Sequence, residues 1–416
     1  MKILKPLVSS LLVFSLLSCS ANTNTSPIIN PSNENNQTTI QANNQFDAKG
    51  ISKTTVLVKL KNNSIKSQNF SAKYQSTIKR VIPNINVLVM EIPPSKSSGD
   101  FIKTLSGDKD VLFAEPDIKV ELDDTDFNDP MFKDQYALNK VQAQKAWDIT
   151  QGGQDVVIGI IDTGVDLDHP DLKAKLLEGY NAIAPGTPPK DDAKHGTHVA
   201  GIAAAIGNNS VGISGMAPKC KILPIKVLGN GTGSIATIAD GLVWAANHGA
   251  DVVNMSLGTY TEEQTLGEAV KYALSKNVVC VATMGNDNIE KRRFPAGFPG
   301  MIAVGSTDEN DKKSTFSNFG SWITVSSPGT GILSTLPTYM SPNGYGKLSG
   351  TSMAAPLVTG LTALIRSQSK NLSPENTAKI LKSSADDLGD SGFDNIYGAG
   401  RVNAFKAVSL AKKQGK

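Results

Sequence analysis

The run Val156-Val157-Ile158-Gly159-Ile160-Ile161 is continuously apolar instead of alternating with polar residues, the pattern of a parallel strand covered on both faces. Further apolar runs follow at 222–227, 252–255, 278–282 and 301–304, and helix-compatible segments at 195–206, 235–248 and 262–275 lie between them. Strands alternating with helices predict an α/β domain, a doubly wound and mostly parallel sheet with helices on both faces. Chemistry in such sheets gathers at the carboxyl ends of the strands. Leu357, Leu361, Leu364 and Ile365 then recur at helical spacing and predict a buried helix beginning near Ser352. Pro356 is expected in its first turn, where the missing N–H has no helical partner to lose.

The pattern before residue 125 is different. Runs at 54–60, 86–92 and 111–114 read as strands, and stretches at 64–80 and 98–107 are compatible with helices. Their order suggests a small split βαβ module, an α+β ferredoxin-like fold. Ahead of it, Lys2 and Lys5, an apolar run at 7–17 and Leu16-Leu17-Ser18-Cys19 read as an export signal too short to span a bilayer. Asn, Thr, Ser and Gln dominate residues 20–50, the composition of a flexible tether. The expected organisation is a signal at 1–18, a tether at 19–52, a small module at 53–124 and the large domain at 125–416.

Charge narrows the function classes. With 41 basic and 38 acidic residues the net charge is +3, and no Lys/Arg stripe interleaves with aromatic residues, so a nucleic-acid partner is not expected. Cys220 and Cys280 fall in apolar or strand-like runs and read as small buried hydrophobes, although pairing between them stays open. The informative polar residues sit at element ends. Asp162, in Asp162-Thr163-Gly164, follows the first buried run; His195 opens His195-Gly196-Thr197-His198-Val199-Ala200-Gly201; Ser352 lies in Gly350-Thr351-Ser352-Met353-Ala354-Ala355-Pro356. A serine hydroxyl is a weak nucleophile until an imidazole takes its proton, and a carboxylate fixes the tautomer of that imidazole. His198 could be half of a metal pair, but no third ligand lies at suitable spacing, so packing is the better account of it.

These three motifs, in this order, resemble those of subtilisin-like serine proteases (subtilases), above all the thermitase-like branch. The likeness extends to Gly400-Arg401-Val402-Asn403-Ala404 near the far end. It implies a serine endopeptidase working through an acyl-enzyme, with Asp162, His195 and Ser352 as the triad and the side chain of Asn286 and the N–H of Ser352 as oxyanion donors. Gly231, Thr232 and Gly233, and Ser256, Leu257 and Gly258, would be two strand edges clamping an extended polypeptide substrate. Recognition through the main chain implies broad specificity, with large apolar or aromatic side chains expected in the primary pocket, whose shape Met284 puts in question. One structural Ca²⁺ is implied at Asp129, Asp171 and Asn209 with the carbonyls of Gly207, Val211 and Ile213. A second calcium site is expected to be absent or altered, because Asn181 stands where acidic residues would be needed, although Asp191 and Asp192 could serve another. The small module resembles the family's propeptide, an intramolecular inhibitor cut off near the acidic segment that contains Asp123 and Asp126. The opening resembles a lipoprotein signal, with Cys19 lipidated, so the protein would be a monomer that is exported and either lipid-anchored or secreted. The competing reading is a catalytically silent surface binding protein on the same fold.

Overall fold

The computed structural model describes residues 46–47, 50–62, 67–119 and 127–414. The export signal, Cys19, most of the tether and residues 120–126, which hold most of the expected processing region, lie outside the described residues. The chain divides into two compact units, Met1–Asp123 and Asp124–Lys416.

In the first unit, β1 (Ile51–Leu60), β2 (Ile78–Ile82), β3 (Val87–Glu91) and β4 (Val111–Ile118) form an antiparallel sheet in the order β2-β3-β1-β4. Helices Ser67–Lys73 and Ser98–Ser106 complete the α+β module. Alternate residues Val56, Val58 and Leu60 of β1 face Phe70, Phe101 and Leu105 of the helices in one core. The helical reading of 64–80 is too long. Gln75 takes a left-handed φ of 50°, which a helix cannot continue through, and Ile78–Ile82 instead pairs its backbone with the open edge of β3.

The second unit holds a seven-stranded sheet in the order β11-β10-β9-β8-β5-β7-β6. Its strands are β5 (Val157–Asp162), β6 (Tyr180–Asn181), β7 (Lys221–Lys226), β8 (Val252–Met255), β9 (Val279–Thr283), β10 (Ile302–Thr307) and β11 (Val325–Pro328), all paired in parallel. Helices His195–Ala204 and Thr351–Gln368 cover one face, packing on Ile158, Ile160 and Val281. Helices Ile235–Asn247 and Gln264–Ser275 cover the other, packing on Ile161, Ile225 and Val253. The fold is therefore the mostly parallel α/β layer expected from the apolar runs. Cys220 belongs to the first core and Cys280 to the second, and both are free, buried thiols.

Two features were not legible in the runs. A hairpin, β12 (Ile332–Thr335) with β13 (Tyr345–Leu348), precedes the long helix. Pro356 also sits deeper than expected. The helix begins at Thr351, which puts Pro356 in the second turn, where its ring nitrogen cannot donate to the carbonyl of Ser352. The hydroxyl of Ser256 donates to that carbonyl instead, at 2.9 Å.

Candidate active site

Asp162 ends β5 with its side chain fully buried. Its Oδ1 accepts from His195 Nδ1 at 2.7 Å and from the Thr163 N–H at 2.8 Å, while Oδ2 has no partner in the protein. Burial works against a charged His195, but the charge of Asp162 and the hydrogen bond to it prevail and raise the imidazole pKa above its ordinary value. The turn and the helix that carry the pair approach very closely. Gly164 has φ +98°, and a Cβ on Gly196 would lie 2.0 Å from the Gly164 carbonyl oxygen, so the second position admits only glycine.

Asp191 braces this junction. Its carboxylate accepts from Thr163 Oγ1 (2.8 Å), Ala193 N (2.9 Å), Thr197 N (2.9 Å) and Thr197 Oγ1 (2.6 Å). Asp192 pairs with Lys226 Nζ at 2.8 Å and accepts from Asn230 N at 3.0 Å. Asp191, named with Asp192 as a candidate for another calcium, thus gives both oxygens to the loops around His195, and Asp192 faces a lysine. Lys226 also donates to the Thr163 carbonyl at 2.7 Å.

Ser352 is the second residue of its helix and is buried. Its Oγ donates to the Ser256 carbonyl at 3.3 Å rather than to the imidazole. Ser256 and His195 nonetheless line one cleft of about 530 Å³, together with Gly231, Thr232, Gly233 and Gly258. Leu257 completes the Ser256 edge within the same cleft.

Asn286 is fixed by its acceptor end. Its Oδ1 receives both the N–H and the hydroxyl of Thr351, each at 2.8 Å. Two donors at the oxygen settle the amide orientation and leave Nδ2 pointing elsewhere. That nitrogen lies beside Gly350, 3.3 Å from where a Cβ would be. Thr351, which sequence reasoning did not single out, thus orients Asn286 from the residue next to Ser352. His198 bonds the Gly346 carbonyl at 3.1 Å through Nε2, its Nδ1 is unpartnered, and burial pulls its pKa down to about 4.

Away from the cleft, Asp129 and Asp171 are both buried and come together with Asn209. Asp129 accepts the N–H groups of Asn208 (2.7 Å) and Asn209 (3.0 Å). Asp171 accepts from Asn209 Nδ2 (2.9 Å), Ile213 N (3.0 Å) and Tyr345 Oη (2.9 Å). The Gly207–Ile213 loop that connects them turns through left-handed residues at Asn208 and Ser210. Among the described residues no cluster of three or more His, Cys, Asp or Glu side chains forms.

Residues 153–400 match the Subtilase family, and residues 47–117 match the fervidolysin N-terminal prodomain. The chain is 44% identical over 283 residues to thermitase of Thermoactinomyces vulgaris, covering 68% of this chain and 98% of that protein. It is 41% identical over 310 residues to a thermophilic serine proteinase of Bacillus sp. (strain AK1), covering 74% of this chain and 75% of that protein. Fervidolysin from Fervidobacterium pennivorans, a keratinolytic enzyme related to subtilisin, superimposes with a TM-score of 0.62 at 27% identity over 88% of this chain and 62% of that one. A protease of Pseudoalteromonas arctica PAMC 21717 gives 0.63 at 32% identity over 68% of this chain and 99% of that one. With the family spanning more than half of the chain and a prodomain ahead of it, the protein belongs to the subtilases and is a serine endopeptidase.

Proposed function

We propose that the enzyme cleaves extended polypeptides through an acyl-enzyme on Ser352. The observation that carries this reading is the 2.7 Å hydrogen bond between His195 Nδ1 and Asp162 Oδ1, in the cleft whose Ser256 edge the Ser352 hydroxyl touches. A rotation about the Cα–Cβ bond of Ser352 moves Oγ from the Ser256 carbonyl toward Nε2 of the imidazole. His195 takes the hydroxyl proton as Oγ attacks the scissile carbonyl, and Asp162 stabilises the imidazolium. The oxyanion meets two donors, Asn286 Nδ2 and the Ser352 N–H, which lies in the first helical turn and has no intrahelical acceptor. His195 then returns the proton to the leaving amine, and water releases the acyl group by the same steps in reverse. The edges at Gly231–Gly233 and Ser256–Gly258 would pair with substrate backbone, which tolerates many side chains along most of the peptide.

The same proposal makes residues 53–124 an intramolecular inhibitor removed by self-cleavage near 122–128. Export through residues 1–18 and lipidation of Cys19 would place the enzyme on or outside the cell envelope. Asp129, Asp171 and Asn209, with the carbonyls of Gly207, Val211 and Ile213, suit one Ca²⁺. Ca²⁺ takes hard oxygen donors from separate segments, and hydrogen bonds hold Asp129, Asp171 and the Asn209 loop side by side, with burial raising the Asp171 pKa. An ion held there would supply positive charge to offset the buried carboxylates of Asp129 and Asp171. Mass analysis of wild type beside Ser352→Ala tests the central claim. Wild type should lose its prodomain and take a fluorophosphonate at Ser352, and the variant should do neither. A Ser352→Ala chain processed at the normal rate would refute self-cleavage.

A further inference from the structure

The slot between the two peptide segments nearest the reacting atoms holds a cation. One wall is the Ser256–Gly258 edge and the other is Met284-Gly285-Asn286, which carries the oxyanion amide. Arg293 threads between them. A Cβ on Gly258 would lie 2.9 Å from Arg293 Nε, and a Cβ on Gly285 would lie 2.9 Å from Arg293 Cδ. Both walls are glycine where the arginine passes. The next residue, Phe294, pairs its backbone with Thr259 at 2.8 Å in both directions, which anchors the arginine to the continuation of the edge. Of the residues lining the cleft, Arg293 is the one whose side chain carries a permanent charge.

The guanidinium is poorly matched in the free enzyme. Nη2 donates to the Gly258 carbonyl at 2.8 Å, Nε is buried without an acceptor, and Nη1 stands 3.7 Å from Asp287 Oδ2, beyond hydrogen-bond reach. Asp287 is itself engaged by the Tyr260 hydroxyl and is half exposed, so it balances the arginine only in part. The Arg293 guanidinium lies 5.5 Å from the centre of the Tyr260 ring, and Lys291 Nζ lies 4.9 Å from it, which adds positive charge to the same corner. Arginine carries five N–H donors in a planar fork that matches a carboxylate, so unfilled positions on it are directional as well as charged.

We propose that Arg293 sets the specificity of this enzyme on the acyl side of the scissile bond and selects an acidic side chain there, glutamate before aspartate because of the reach required. The inference rests on the endopeptidase reading above. A peptide that lays its backbone along Ser256–Gly258 and turns its scissile carbonyl toward Asn286 directs the adjacent side chain into the slot between those walls. A glutamate carboxylate there meets the outer N–H groups of the Arg293 guanidinium, a side chain about a quarter exposed, while Nε stays buried behind them. A lysine meets repulsion, and a large aromatic ring meets a slot already occupied by the arginine stem. This replaces the apolar or aromatic preference expected from the sequence.

The test uses the processed enzyme and four fluorogenic peptides that differ only in the residue before the cut: Glu, Gln, Phe and Lys. Wild type should show kcat/KM for Glu above Gln by about tenfold or more, the scale of a charge-assisted hydrogen bond, with Lys the poorest. Arg293→Met should bring the Glu-to-Gln ratio close to one, Arg293→Glu should favour Lys over Glu, and Asp287→Asn should raise the Glu preference. Fluorophosphonate labelling of Ser352 in each variant reports that it is folded and competent. A labelled Arg293→Met enzyme with the wild-type Glu-to-Gln ratio overturns the assignment to Arg293, as does a wild type that labels but prefers Phe. A wild-type chain that cleaves none of the four and takes no label removes the endopeptidase reading, and this proposal with it.

Discussion

His195 decides the acid limb of the pH profile. It must be neutral to accept the serine proton, and Asp162 raises its pKa, so kcat/KM should begin to fall on acidification at a pH above the usual histidine value. Asp162→Asn should shift that limb downward and lower turnover by about 10⁴. A limb that stays in place would mean that the carboxylate does not tune the imidazole. Asn286→Ala should lose roughly 10²–10³ in kcat, the range known for removing an oxyanion-hole asparagine in subtilisin, with KM little altered. His198 acts on stability instead. Its pKa falls to about 4 in the fold, so the unfolded chain binds the proton more readily, and the stability present above about pH 6.5 drains away as the pH falls toward 4. His198→Gln, which can still donate to Gly346, should flatten the acid limb of the urea midpoint. At this scale the sequence was legible where a polar residue ended an apolar run, as at Asp162. Asp191, Thr351 and Arg293 were not, because their roles come from neighbours distant in sequence. Arg293 in particular sits in Lys291-Arg292-Arg293, which on its own reads as a solvated basic patch.

The helix Thr351–Gln368 shows what its apolar stripe could and could not convey. The stripe located the helix and its burial, although Thr351–Arg366 are buried all round, and the position of Pro356 relative to the helix start depends on a cap that carries no strong signal. Gly350 caps the helix without a side-chain hydrogen bond. The gap that Pro356 leaves at the Ser352 carbonyl is filled by Ser256. Removing that hydroxyl strands a buried acceptor, so Ser256→Ala should destabilise the peptidase by about 1–3 kcal/mol. Pro356→Ala restores an N–H to the helix, and the cost of Ser256→Ala should shrink in that background. A double-mutant cycle by urea unfolding, run on Ser352→Ala chains to suppress self-digestion, measures the coupling. Additive costs would show that the proline and the serine hydroxyl are independent. The short hairpin and the edge strands β6 and β11 escaped the sequence because they mix polar residues into two to four positions, whereas the equally short β8 shows as an apolar run.

At the scale of the molecule, a parallel sheet of distant pairings folds slowly, and a protease surrounded by its own kind is best protected by slow unfolding. Chelation should therefore shorten the half-life at elevated temperature and lower the melting temperature of the Ser352→Ala chain, with excess Ca²⁺ restoring both. Unchanged melting would dissociate Asp129 and Asp171 from metal. The two sulfhydryls offer an independent gauge of the same opening. Cys220 and Cys280 are sealed in opposite layers, with burial pushing their pKa values up to about 11 and about 12, so neither has a reactive thiolate in the closed molecule. With no cross-link between them, the peptidase unit can part its layers without breaking a covalent bond. A thiol-labelling reagent would thus act as a stopwatch, alkylating each position only as often as the sandwich comes apart.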